Sequence, residues 1–221
     1  MDRQRMQQAL ASRVPEEVRS TMVEVLEEGY QVAASRYDES IGCNSVTFGT
    51  DLYQFVRFHF QGCGDPATAP ITLGHTESEL ELRLSMGGFT LACHRVGSSA
   101  QEDITVCFPS SAGGPGRLAR QNAHQLELDL PVAEDELLPQ NVVIAHLGNP
   151  DTGLEAVYFA VPSSTSGAGR INGWAYTELL WEWDGERTEG FPVADLPPSV
   201  PIPEAEVRLR STVDATERGS S

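Results

Sequence analysis

Not one lysine occurs in this chain of 221 residues. Its fifteen basic side chains are all arginine, set against thirty-two Asp and Glu, and the net charge is −17. The lack of clustered positive charge argues against nonspecific nucleic-acid binding, which rests on phosphate contacts. The one locally basic piece is the first fourteen residues, where Arg3, Arg5 and Arg13 face Asp2; it is too small for a footprint. No apolar run approaches the roughly 18–20 residues that span a bilayer, so no membrane association is expected. The opening Met1-Asp2-Arg3-Gln4-Arg5 lacks the apolar region of a signal peptide, and a cytoplasmic location is expected. No Cys-x-x-Cys pair exists. Cys43, Cys63, Cys93 and Cys107 stand far apart and read as four small buried apolar side chains. No internal repeat is present.

What the chain does have is a strong central pattern, Asn141–Pro162. Two apolar runs, Val142–Leu147 and Leu154–Val161, flank Gly148-Asn149-Pro150-Asp151-Thr152-Gly153. Residues that suit a pleated surface are joined by residues that supply turns, which predicts a β-hairpin. In the second run Val157, Phe159 and Val161 face one way, and Leu154, Ala156, Tyr158 and Ala160 the other. Both faces are apolar, as in a strand covered on both sides.

Ahead of the hairpin, residues 2–14 predict a short helix with Met6, Leu10 and Val14 on one stripe. Pro15 suits the start of a second helix, and Glu16 and Glu17 suit its positive end. Val18, Met22, Val25, Leu26, Gly29 and Ala33 then recur at spacings of three and four, which predicts one buried face ending near Asp38. Ser40–Thr50 reads as a turn-rich connection, with Thr50 capping a helix through His59; the same residues also alternate, so a strand is the competing reading. Gly62–Pro70 reads as a loop. Thr76–Met86 alternates with period two, Gly87-Gly88 makes a tight turn, and Phe89–Val96 returns. Ile104–Phe108 is read as a third strand of this meander, Ser110–Gly116 as a loop, and Arg117–Leu126 as a helix. Residues 132–140 read as an acidic connector. After the hairpin come a flexible loop, Ser163–Gly169, and an aromatic last strand, Gly173–Trp183. The expected fold class is therefore α+β, with N-terminal helices packed on a mostly antiparallel sheet. Residues 1–40 form the helical segment, 41–191 the core of the same domain, and 192–221 a Pro-rich tail expected to be flexible.

Chemistry-bearing motifs are sparse. His59 and Cys63, with Cys43, resemble part of a zinc site, and Cys93, His94 and Cys107 could form another; the spacings force neither set together, so no metal and no cofactor is expected. Cys93 and His94 point to opposite faces of a strand and cannot pair as nucleophile and base. Glu77, Glu79 and Glu81 on one strand face read as a solvent face rather than a cation site. Gly113-Gly114-Pro115-Gly116-Arg117 lacks the phosphate-loop frame. The most suggestive polar residues are His146 and Asn149 at the turn end of the hairpin, with His94 and Arg95 ending the earlier strand. Asn149-Pro150-Asp151 fits ordinary turn chemistry equally well.

Missing a catalytic constellation, the chain reads first as a non-enzymatic module that binds a protein partner, its Pro-rich tail docking as an extended segment. The alternative is a small-molecule-binding protein or metal-dependent hydrolase with its site around His94 and His146. A third reading is a nucleic-acid mimic whose carboxylates line one face. The residues leave enzymatic activity open.

Overall fold

Pro15 breaks the first helix from the second, and the two apolar stripes on either side of it turn inward together. The structure is a computed structural model that describes residues 3–62, 72–74, 83–109, 114–127 and 140–184. Helix α1, Arg3–Arg13, buries Met6 and Leu10. Helix α2, Glu16–Ser35, buries Val18, Met22, Val25, Leu26, Gly29 and Ala33 as the spacing predicts, together with Tyr30. A helix also claims the ambiguous region: α3 runs Ser45–Gly62 and starts earlier than expected. Asn44, not Thr50, is its cap. The Asn44 Oδ1 accepts from the amides of Val46 at 2.9 Å and Thr47 at 3.2 Å, and Thr47 Oγ1 accepts the Asn44 amide in return. Thr50 sits inside the helix, its hydroxyl donating back to the Val46 carbonyl.

The strands are β1 (Thr72–Gly74), β2 (Arg83–Met86), β3 (Phe89–Gly97), β4 (Asn141–Asn149), β5 (Gly153–Thr165) and β6 (Ile171–Glu182), lying side by side in chain order. All neighbours pair antiparallel except β3 and β4, which are parallel. A parallel pair needs a crossover, and helix α4, Gly114–Glu127, lies in it. The fold is thus α+β with a mostly antiparallel sheet. The predicted strand Thr76–Met86 is seen from Arg83 on. Its earlier part, with Glu77, Glu79 and Glu81, lies outside the described residues, as do Cys63, the acidic connector and the tail beyond Asp184.

Helices cover the sheet on both faces, and this explains the two apolar faces of the central hairpin. On one side α1, α2 and α3 pack on Leu84, Leu91, Val142, Ile144, Val157 and Phe159. On the other, Ala119 of α4 meets Val143, Ala145, Ala160 and Ile171. Eight successive residues of β4, Asn141–Gly148, are buried. Leu154 departs from the predicted alternation and joins the α1–α3 side, because a bulge between Leu147 and Gly148 shifts the register there. Fully buried Asn122 ties α4 to the sheet: its Nδ2 donates to the carbonyls of Asn141 and Pro162, and its Oδ1 accepts from Asn141.

Three more expectations are corrected. Ile104–Phe108 is not a strand; Ile104–Val106 is a 3-10 turn. Asp103 caps it by accepting from the Thr105 amide, and Trp174 Nε1 on β6 takes the carbonyls of Ile104 and Cys107, each at 3.0 Å. The local Asp103 cap and the long-range Trp174 bonds together outweigh the β-branched run. The loop Ser163–Gly169 is largely strand and tight turn, closed where Ser166 donates to the Arg170 carbonyl at 2.8 Å. Helix α4 begins at Gly114, inside the predicted loop, with Pro115 in its first turn where a missing N–H costs little. Of the cysteines, Cys93 and Cys107 are buried, but Cys43 is only half-buried.

Candidate functional site

Strand alternation carries two polar side chains onto a helix-covered face of the sheet. Parallel pairing sets Arg95 of β3 beside His146 of β4, one step along from Cys93 and Ile144 in the α1–α3 core. Polar groups in such a layer need partners. His146, 4% exposed, has its Nδ1 2.9 Å from the Tyr30 hydroxyl, and the two rings meet edge-on at 89°. Tyr30 comes from α2, and Gly148 leaves room for it: a Cβ there would stand 2.6 Å from Tyr30 Cε1. Phe48 of α3 packs edge-on to Tyr30. Arg95 lies with its guanidinium 5.5 Å from the Phe48 ring centre, and its Nε donates to the Gly148 carbonyl at 3.0 Å.

Burial keeps this group uncharged apart from Arg95. Desolvation, with His94 and Arg95 adding to it, lowers the His146 pKa to about 3, so the ring is neutral near pH ~7. Burial also raises the Tyr30 hydroxyl well above the ordinary phenol range, with Arg95 opposing it. Burial pushes the Cys93 thiol up to about 12, which removes the thiolate a nucleophile needs.

Alongside lies a cleft of about 760 Å³ between α3 and the second half of β3. Among the described residues β2 pairs with β3 only from Phe89 to Ala92, and Cys93–Ser98 line the cleft instead. Gly49, Leu52, Tyr53 and Val56 form the α3 wall. Arg95 and His146 reach it from the helix-covered face. Alternation sends His94 to the opposite face, and it meets the cleft as well. A concave, mainly apolar space of this size with a few convergent polar groups suits a small ligand.

Asn149 stands apart. Its Oδ1 accepts from the amides of Asp151 and Thr152, both at 2.9 Å, and its Nδ2 donates to the Ser98 carbonyl and to Glu155. Glu155, 7% exposed, also accepts from the Ala100 amide at 2.8 Å and, in a short bond, from the Thr152 hydroxyl. Burial works to raise the Glu155 pKa, and these bonds outweigh it and lower it. Glu102 likewise gathers the amides of Ser98 and Ser99, and its pKa falls, led by the Ser98 amide. Asn149 and Glu155 fasten the loop after β3 to the β4–β5 turn, and Glu102 closes that loop on itself.

Of the four predicted site residues, Arg95, His146 and His94 therefore share a cleft and Asn149 serves the turn. Of the two sets weighed as metal sites, Cys93, His94 and Cys107 do not assemble, and the set of His59, Cys43 and Cys63 includes Cys63, which lies outside the described residues. Cys93 lies in the α1–α3 core and Cys107 under Leu147 on the other side, while His59 Nδ1 pairs with Glu28 Oε2 at 3.2 Å. No group of three or more His, Cys, Asp and Glu comes together for a metal among the described residues. Tyr30, Phe48 and Glu155 were not singled out from sequence. A tyrosine on the apolar stripe of α2 and a glutamate inside an apolar strand were the available signals, since each demands a hydrogen-bond partner when buried.

No family model, curated protein or solved structure matches the chain. Among the described residues no helix is long and apolar enough to cross a membrane.

Proposed function

We propose that this protein binds a small, mainly apolar molecule in the cleft between α3 and β3. The observation that carries the reading is the cleft itself: about 760 Å³, walled by Leu52, Tyr53 and Val56 and floored by Arg95 and His146. Binding is favoured over hydrolysis by the state of the titratable groups. Cys93 remains a thiol, and His146 is neutral with its Nδ1 already engaged by Tyr30. The test uses the neutral dye Nile red and the variant Gly49→Leu. A Cβ at Gly49 meets nothing within 4 Å, so the leucine enters free space at the cleft wall. Native protein is expected to enhance the dye's fluorescence saturably, and Gly49→Leu to weaken its binding by about fivefold or more, roughly 1 kcal/mol. Absence of saturable binding, or equal binding by Gly49→Leu, overturns the reading.

A second reading, docking of a protein partner, is favoured by exposed apolar side chains on the same helix, Val46 at 73% and Phe58 at 69%. Dye binding that survives Gly49→Leu but is lost in Phe58→Ser would shift the balance to that reading.

A further inference from the structure

The chain carries thirty-two acidic residues, yet among the described residues none of them lines the cleft. Among the described residues the charge it does present is that of Arg95, with the imidazoles of His94 and His146 close by. Arg95 is also held ready. Its Nε is fixed on the Gly148 carbonyl at 3.0 Å and its guanidinium rests against Phe48, which limits the freedom it would lose on binding. No carboxylate pairs with it among the described residues. In a protein of net charge −17, a preorganised arginine in a mainly apolar cleft with no carboxylate among its described lining residues selects for an acceptor of negative charge.

Resting on the small-molecule reading above, we infer that the ligand is an anionic amphiphile, an apolar body in the cleft with a carboxylate-type head received by Arg95. The apolar walls supply affinity through buried area, and the arginine supplies discrimination, because a charge-assisted bond exceeds a neutral one in strength. Acidic peptides fit less well, since the chain as a whole carries a net charge of −17.

Decanoate and decanol, used below the micellar range, separate the two ideas because they differ in the head group alone. Calorimetric titration of the full chain is expected to show decanoate binding about tenfold more tightly than decanol at ~0.15 M salt. Arg95→Met should abolish or reverse that preference, and Arg95→Lys should keep part of it. Equal or tighter binding of decanol by the native protein overturns the anion inference and leaves the cleft reading standing. A decanoate preference that persists in a folded Arg95→Met protein also overturns it. Failure of both probes to bind the native chain removes the cleft reading itself. Should Arg95→Met fail to fold, the native comparison and the Arg95→Lys variant decide the matter.

Discussion

At the scale of single residues, the polar groups of this protein fall into those that hold loops and those that stand beside a cleft. Asn149, Glu102 and Glu155 spend their oxygens on backbone amides, whereas His146 is buried under Tyr30 with one ring nitrogen bonded. The sign of its titration follows from its pKa of about 3, lowered by burial from the ordinary 6.5. As pH falls below ~6.5 the unfolded chain takes up a proton that the folded chain refuses, so stability present above that value is lost toward pH ~3. Between about pH 7.5 and about pH 5 this one group is expected to remove about 2 kcal/mol, before carboxylate protonation dominates. Denaturant unfolding at a series of pH values measures the slope. His146→Gln, whose amide can still meet the Tyr30 hydroxyl, should flatten the curve across that window. An unchanged slope in the variant would place the titration elsewhere. Neither Tyr30 nor Glu155 was singled out from sequence, because a buried polar side chain is recognised by its partner, and these partners lie far along the chain.

At the scale of elements, legibility followed whether the local pattern and the tertiary demand agreed. The β4–β5 hairpin was readable because its residue types, turn and two apolar faces all pointed to one doubly covered structure. The start of α3 was not, because Asn44 capping competes with the strand-like alternation from Phe55 to Phe60 and only hydrogen-bond geometry decides. Ile104–Phe108 misled for the same reason, its apolar run overruled by the Asp103 cap and the Trp174 bonds. The crossing of α2 and α3 shows what the apolar stripe specifies in detail. A Cβ on Gly29 would lie 2.7 Å from Val56 Cγ2, whereas one on Gly49 would touch nothing within 4 Å. Helix propensity alone favours alanine at both sites by up to about 1 kcal/mol. Gly29→Ala is nevertheless expected to destabilise by about 1–3 kcal/mol, because stiff, β-branched Val56 must move. Gly49→Ala should stabilise by about 0.5–1 kcal/mol. Urea midpoints with unchanged m-values would measure both. Equal effects at the two positions would mean that α2 and α3 do not cross this closely.

At the scale of the whole molecule, the question is how much chain the core requires. The fully packed residues of both sheet faces run from Met6 to Tyr176, with Leu180 and Trp181 as the last partly buried partners. Among the described residues, each layer thus has its last packed member before Asp184. Beyond it, positions 192–203 hold five prolines, Pro192, Pro197, Pro198, Pro201 and Pro203, whose fixed φ and missing donors disfavour both helix and central strand. Deleting Val193–Ser221 is thus expected to leave a cooperatively folding protein. Its melting temperature should stay within about 3 °C of the full chain, less than the shift that loss of one well-packed core side chain produces. Because the described residues that line the cleft all lie between Ser45 and His146, Nile red and decanoate binding should be retained as well. Any binding to a protein partner through the tail should weaken in the same truncated protein. Calorimetric melting and the dye titration, run side by side on the two chains, separate these contributions. A truncated chain that aggregates, or melts many degrees lower, would mean that the sheet takes part of its core from residues after Val193. A truncated chain that melts normally but no longer binds the dye would place part of the ligand site there instead.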